Sequence, residues 1–289
     1  MEGGDPRLIR RDAHDDGLNR WEMARLRPAA ALAGAISSYS DYWEVTGGFT
    51  ARRELPGIEP VLIVNLGDPI EIVGGDGRAI RLGAGEGFAA ATHSRAAISR
   101  SAGAQAGVHV HMTLATMKRL LGVPLDEMLD RTVALDDFGG WGRALADALA
   151  GAGSAAGRAA VLDRHLALRL ARAPEEDRQI AHAIALLAGR PEIRVEALAR
   201  DLGWSRKQLG RRMREATGVG PRMFRRLARF GRLVARLQRG AAPAWAELAL
   251  DGGWFDQPHM LRDFRAFAGV TPRQFAARSL PNMGGLVEA

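Results

Sequence analysis

Two stretches of this chain carry the same punctuation. "LARDLGWSRKQLGRRMREATGVGPRMF" runs from Leu198 to Phe224, and "LALDGGWFDQPHMLRDFRAFAGVTPRQF" runs from Leu248 to Phe275. Leu198, Ala199, Asp201, Gly203 and Trp204 match Leu248, Ala249, Asp251, Gly253 and Trp254 at an offset of 50. After one extra residue, Leu209, Arg211, Met213, Arg214, Gly218, Val219, Pro221, Arg222 and Phe224 match Met260, Arg262, Phe264, Arg265, Gly269, Val270, Pro272, Arg273 and Phe275 at 51. Each copy reads as helix, glycine-centred turn, helix. The glycine adopts a backbone conformation that a Cβ would resist, and the tryptophan after it is placed to fill the angle between the two helices.

Charge is distributed unevenly around this repeat. Before Pro174 there are 20 Arg/Lys against 21 Asp/Glu; from Pro174 onward there are 20 against 12, so the formal +7 comes from the C-terminal part. Lysine occurs only at Lys118 and Lys207, and an arginine bias of that kind can follow genome composition, so the asymmetry says more than the total. A basic segment on a neutral body suits a polyanionic partner. With no cysteine, disulfides, zinc-thiolate sites and thiol nucleophiles are excluded. The opening "MEGGDPRLIRRDAHDD" lacks the apolar stretch of a signal peptide, and the longest apolar run, Ala29 to Ile36, is too short for a bilayer. A cytoplasmic protein with no membrane contact is the expectation.

The hydrophobic pattern sets out an α+β chain. Strands are expected over about 36–114: "PVLIVNL" and "IEIV" are β-branched runs, "GGDG" is a hairpin turn, "RAIRL" returns, and "GVHVHMTL" alternates. Such short, closely spaced strands suggest a small barrel or sandwich. Helices are expected over about 115–173, in "LATMKRLLG", "PLDEMLD", "WGRALADALAGAG" and "RAAVLDRHLALRLARA". Val161, Leu162, Leu166 and Leu170 make an apolar stripe on the last, which would serve a homodimer or a core equally well. "APEED" marks a boundary, giving an N-terminal unit 1–173 and an all-helical unit 174–289. The latter holds helix-turn-helix units at about 195–218 and 244–269, joined by a linker helix over 221–239 that starts at Pro221 and stops at Gly240.

Placed at 100° per residue, the second helix of each unit is two-faced. Leu209, Met213 and Ala216 form the inner stripe of the first; Lys207, Gly210, Arg211 and Arg214 lie opposite, with Arg206 at the helix start. In the second, Met260, Phe264 and Phe267 face inward and Pro258, Leu261, Arg262 and Arg265 outward, with Gln257 at the start. Outer faces this basic fit a recognition helix: arginine forks reach guanine edges and phosphates, Leu261 a thymine methyl, and Gln257 an adenine edge. The linker helix, at 1.5 Å per residue, is about 28 Å long, which can hold two readers about one duplex turn, roughly 34 Å, apart. Arg225, Arg229, Arg232 and Arg236 recur along it, as phosphate contacts or as a solvated or salt-bridged face.

These residues resemble the AraC/XylS family of bacterial transcription regulators. The match covers Asp177 to Arg278 and is most specific in the second copy, with Trp254 where phenylalanine is commoner in the family. The departure is Gly210, where the family often carries a larger polar contact on the first reader. The resemblance implies double-stranded promoter DNA and RNA polymerase as partners. It also implies a cupin-like N-terminal domain that senses a small-molecule effector or forms a homodimer, and no cofactor.

One other pattern carries chemistry. His109 and His111 sit two apart and face one side of a strand, as in the ligand set of a metal-binding cupin. A cupin-type metalloenzyme with helical assembly domains is therefore the alternative to a DNA-binding regulator, and it needs further ligands, for which His93 and Glu86 are the nearest candidates. "GAGEGF" at Gly83 to Phe88 lacks the setting of a dinucleotide loop, and no phosphate-binding loop, GxSxG elbow or HExxH is present. Without cysteine, the alkyl-transfer chemistry of family relatives that repair methylated DNA is excluded too. Trp21, Tyr39, Tyr42 and Trp43 would stack on a ligand or pack in the core.

Overall fold

A computed structural model describes residues 5–46, 50–190, 193–239, 245–278 and 286–287. The N-terminal half is two antiparallel sheets. One orders its strands β1 (Leu8–Asp15), β2 (Arg20–Leu26), β3 (Ile36–Val45), β10 (Ala104–Met112), β5 (Val61–Asn65), β8 (Glu86–Ala90) and β11 (Thr132–Ala134). The other orders β12 (Leu286–Val287), β4 (Thr50–Glu54), β9 (Ala97–Ser101), β6 (Ile70–Val73) and β7 (Ala79–Leu82). The expected β6–β7 hairpin is there, turning at Gly77 with φ +83°.

Three differences from the sequence reading concern strands. The sheet starts at Leu8 rather than near 36, because β1 and β2 form a hairpin on its edge. Within the stretch expected to be helical, "PLDEMLD" gives only a 3-10 turn over Leu125–Met128, and β11 follows it. At the far end of the chain, Leu286 and Val287 pair with Arg53 and Arg52 of β4.

Helices α1 (Leu114–Leu121), α2 (Trp141–Ala150) and α3 (Ala155–Ala171) complete this half. Asp163 of α3 accepts hydrogen bonds from the Tyr39 hydroxyl (2.8 Å) and the Ala29 amide (2.9 Å), and pairs with Arg7 at 2.8 Å. Burial and that carboxylate push the Tyr39 phenol well above its ordinary range, so it stays a donor. Leu162, Leu166 and Leu170 are buried inside the protomer. The apolar stripe considered for a homodimer is thus spent on the chain's own core.

The remainder is helical: α4 (Arg178–Gly189), α5 (Val195–Asp201), α6 (Arg206–Thr217), α7 (Pro221–Gln238), α8 (Trp245–Asp251), α9 (Gln257–Ala268) and α10 (Pro272–Arg278). Both turn-linked pairs and the linker helix stand where the repeat puts them; Gly240 and Ala244 lie outside the described residues. Asp177, the last residue of "APEED", caps α4 by accepting from the Gln179 and Ile180 amides. One apolar core runs from the first sheet through α1–α3 into α4–α10, while Ile72, Leu82, Phe88 and Ala90 form a second, smaller one. No helix among the described residues is long and apolar enough to cross a membrane.

Candidate nucleic-acid interface

The two turns close in the same way. Trp204 donates its amide to Ala199 at 2.8 Å, and Trp254 donates its own to Ala249 at 2.9 Å. Gly203 and Gly253 have φ of +69° and +79°, where a side chain is strained. Gly252 is needed for another reason: a Cβ there would stand 2.2 Å from the Trp254 ring. Both tryptophans are buried in the angle between their helices. Ser205 caps α6 by accepting from the Gln208 amide, Asp256 caps α9 by accepting from the His259 amide, and both helices end in a left-handed glycine, Gly218 and Gly269.

Packing splits each second helix as its pattern requires. Leu209, Met213 and Ala216 of α6 are buried, as are Met260, Phe264 and Phe267 of α9. Arg206, Lys207, Arg211 and Arg214 are exposed on the first, and Pro258, Arg262 and Arg265 on the second, while Gln257 and Leu261 are half-buried. Arg211 pairs with Glu215 at 2.8 Å and Arg206 lies 4.0 Å from Glu196. Lys207, Arg214, Arg262 and Arg265 form no ion pair among the described residues.

The arginines of the linker helix behave differently. Arg225 donates to the Ile193 carbonyl at 2.7 Å and Arg232 to the Ala188 carbonyl, tying α7 to the first unit. Arg229 is buried, donates to the Gly253 carbonyl at 2.6 Å and lies over the Trp254 ring at 5.2 Å, tying α7 to the second. These three are struts between helices, each guanidinium held at a backbone carbonyl of a neighbouring segment and partly or fully withdrawn from solvent. Arg236 alone of the four remains exposed.

Asp263, which the pattern analysis did not single out, organises the second unit. Its carboxylate accepts from Arg226 at 2.7 and 3.2 Å and from the Trp254 indole nitrogen at 3.0 Å, with Arg229 at 3.6 Å and His259 at 3.8 Å. Burial alone would raise its pKa, but the bonds from Arg226 and Trp254 and the nearby positive charges outweigh it and hold the pKa below the ordinary value. The signal was an acid one residue before Phe264, on the inner side of an otherwise apolar and basic helix.

A family model described as a helix-turn-helix domain matches residues 198–278, which span both turns and the helix between them. The matched residues lie within Asp177 to Arg278, the stretch that resembles AraC/XylS regulators. No curated protein matches the chain in sequence. Among solved structures, ToxT from Vibrio cholerae is 8% identical, with 90% of this chain and 98% of that one covered and a TM-score of 0.51. An apo lysine-to-alanine variant of ToxT gives 9% identity, 91% and 98% coverage, and a TM-score of 0.50. At such identities the likeness concerns the fold, a strand-rich unit followed by a helical one. The matched helix-turn-helix domain marks the chain as a DNA-binding regulator.

The histidine pair does not build a metal centre. His109 packs edge-on to Tyr42 and His111, with ring centroids 4.9 and 6.0 Å away, and His111 Nε2 lies 3.1 Å from the Ser40 hydroxyl. Among the described residues no group of three His, Cys, Asp or Glu side chains could hold a metal. Glu86 instead accepts from the Gly83 amide at 2.7 Å, and His93 sits in a bridge with Gly57. Burial, then His111 and Arg25, lowers the His109 pKa to about 3, and burial with Arg25 lowers that of His111 to about 4. Both rings are neutral at physiological pH, in a polar patch with Ser40 and Tyr42. Of the other aromatics, Tyr39 is core, Trp21 stacks on His14 at 6.2 Å, and Trp43 is exposed.

Proposed function

We propose that this regulator reads promoter DNA with α6 and α9 in successive major grooves. Residues 174–289 form the DNA-binding domain, and residues 1–173 form a cupin-like sensing or dimerisation domain. Arg206, Lys207, Arg211 and Arg214 on the first reader, and Gln257, Pro258, Leu261, Arg262 and Arg265 on the second, are the contact residues. The observation that carries this reading is the pair of matched turns presenting exposed cations without carboxylate partners among the described residues, Lys207 and Arg214 on one helix and Arg262 and Arg265 on the other. Helix α7, with 18 residues, spans about 27 Å at 1.5 Å per residue, and its arginine struts keep the spacing fixed. RNA polymerase is the protein partner, and a small organic effector bound by the N-terminal domain sets the balance between conformations that bind DNA unequally. A homodimer requires a surface other than the buried stripe of α3.

Selection of bound sequences from random duplexes, followed by gel-shift titration of Arg262→Ala, tests the reading. Loss of a base contact should cost about 1–3 kcal/mol for the selected site, with little change for random DNA. Equal affinity of the intact protein for selected and random duplexes would refute base readout.

A further inference from the structure

A cleft of about 440 Å³ lies where α1 and α3 end against the start of α2. Arg119, Arg169, Arg172, His165, Trp141 and Leu168 are on its walls, and no Asp or Glu is among its lining residues. Two of the guanidinium groups are held by backbone. Arg119, at the end of α1, donates to the Leu170 carbonyl of α3 at 3.2 Å and to the Pro174 carbonyl at 2.9 Å. Arg169, near the end of α3, donates in return to the Leu120 carbonyl of α1. It also lies over the Trp141 ring at 4.5 Å. Each helix therefore caps the other's C-terminus with an arginine.

That capping accounts for part of the charge only. Two helix ends offer about half a negative charge each, against three guanidinium groups, and an uncompensated cation cluster in a concave site is an anion site. Among the described residues, bonds to carbonyls fix the heads of Arg119 and Arg169 and use only part of their N–H groups, and Arg172 is exposed beside them. The Trp141 indole N–H is buried with no hydrogen-bond partner among the described residues, an unmet donor on a residue of the cleft wall. Leu120, Leu168 and the Trp141 ring supply apolar surface, and 440 Å³ falls within the ordinary size of small-ligand pockets, roughly 300–1,000 Å³.

We propose that this cleft binds a small organic carboxylate with an apolar body, and is the effector site of the regulator. The carboxylate meets the free N–H groups of Arg119, Arg169 and Arg172, one acceptor takes the Trp141 N–H, and the body lies against Leu168 and Leu120. This role rests on the regulator reading, and the structure supplies a route from cleft to reader. Arg119 grips Pro174, just ahead of the helical domain, and α1 packs on α6. The 3-10 turn beyond α1 touches the end of α6, where a Cβ on Gly218 would meet the Leu125 carbonyl at 3.1 Å.

Calorimetry on the full chain with octanoate, phenylacetate and 2-naphthoate, each beside its neutral amide, tests the site without DNA. At least one acid should bind about tenfold or more tightly than its amide, a difference one charge-assisted contact supports. Arg172→Ala should weaken it by about tenfold, with the fold intact, since that side chain makes no hydrogen bond or ion pair among the described residues. Arg169→Lys should weaken it too, because an ammonium cannot reproduce the fork. No binding by any of the three acids, equal binding of acid and amide, or affinity unmoved by both substitutions would overturn the assignment. Gel shifts with and without a saturating acid then read the effector role: a change in DNA affinity of about 5–150-fold supports it, and no change refutes it. Failure to discriminate DNA sequences at all would sink the regulator reading while the calorimetric result stood.

Discussion

Replacing Asp263 with alanine should unfasten the second reader. Its carboxylate, only 8% exposed, satisfies Arg226 and the Trp254 indole and lies beside Arg229, which is itself only 8% exposed. Removing one partner from a buried pair costs about 3–5 kcal/mol, because the remaining charge is left in a poor solvent. Two features moderate that figure here. Arg226 is 37% exposed and can turn to water, and Arg229 keeps its 2.6 Å bond to the Gly253 carbonyl. About 3 kcal/mol, the lower end, is the expectation, a large part of the roughly 5–15 kcal/mol that holds most domains together. Asp263→Asn retains an acceptor for the indole and should cost about half as much. Urea unfolding of the full chain, followed by tryptophan fluorescence, measures both. The acid limb checks the cause. Because the folded-state pKa of Asp263 is depressed, its contribution is present above the ordinary carboxylate value of 3.8 and is lost as pH falls through the lower folded value. Both variants should therefore lose less stability than the parent between about pH 4 and pH 2. A cost for Asp263→Ala below about 1 kcal/mol, as for an exposed ion pair, would show that the network is ornamental and that Trp254 is held by packing alone.

Four other perturbations separate the causes assigned above. Gly203→Ala meets no atom within 4 Å and should cost only the left-handed backbone, about 1–2 kcal/mol. Gly252→Ala places a Cβ 2.2 Å from the Trp254 ring and should reach the upper end of overpacking, about 3 kcal/mol; equal costs in thermal melts would refute the distinction. His109 and His111, with folded-state pKa values near 3 and 4, add stability that is full above about pH 6.5 and falls as acid protonates the unfolded chain first. His109→Gln should flatten the decline in melting temperature between pH 6.5 and 4, and an unchanged slope would show that the rings are not desolvated. Leu286→Ala should strip the last strand from β4, and hydrogen exchange along β4 should rise without a matching rise along β6.

What the sequence made legible follows from how each element earns its place. The two readers are punctuated by residues with one physical use, a left-handed glycine and a plug tryptophan, and a repeat doubles the signal. The first hairpin was illegible by hydrophobic pattern because "LIRRDAHD" buries almost nothing on an edge strand. Its turn was readable: Asp16-Gly17 is a hairpin dipeptide, and Gly17 has φ +85°. Strands β11 and β12, three and two residues long, exist only because β8 and β4 offer them edges. The linker arginines had the right spacing for phosphate contact, yet a helical wheel cannot tell a cation facing water from one whose long stem carries it to a buried carbonyl.

The repeat also hides an inversion. Arg212 of the first unit occupies the position of Asp263 in the second, so the two turns are braced with opposite charges. Arg212 lies over the Trp204 ring at 4.7 Å and pairs with Asp177 at 2.7 Å, the residue that caps α4. In the second unit the cation over the tryptophan comes instead from α7, and Asp263 binds it from within. Each tryptophan thus sits under a guanidinium, but the first is anchored to the approach segment and the second to the linker helix. Arg119 grips Pro174, three residues ahead of the Asp177 that braces the first turn, and α7 ties that unit to the second. On the proposed reading, the first reader, with Gly210 on its outer face, has no side chain to offer DNA there, while Arg212 links it to Asp177 ahead of α4. On the proposed reading, the second, with Arg262 and Arg265 unpaired among the described residues and a turn sealed by its own carboxylate, keeps its sequence preference while the first shifts.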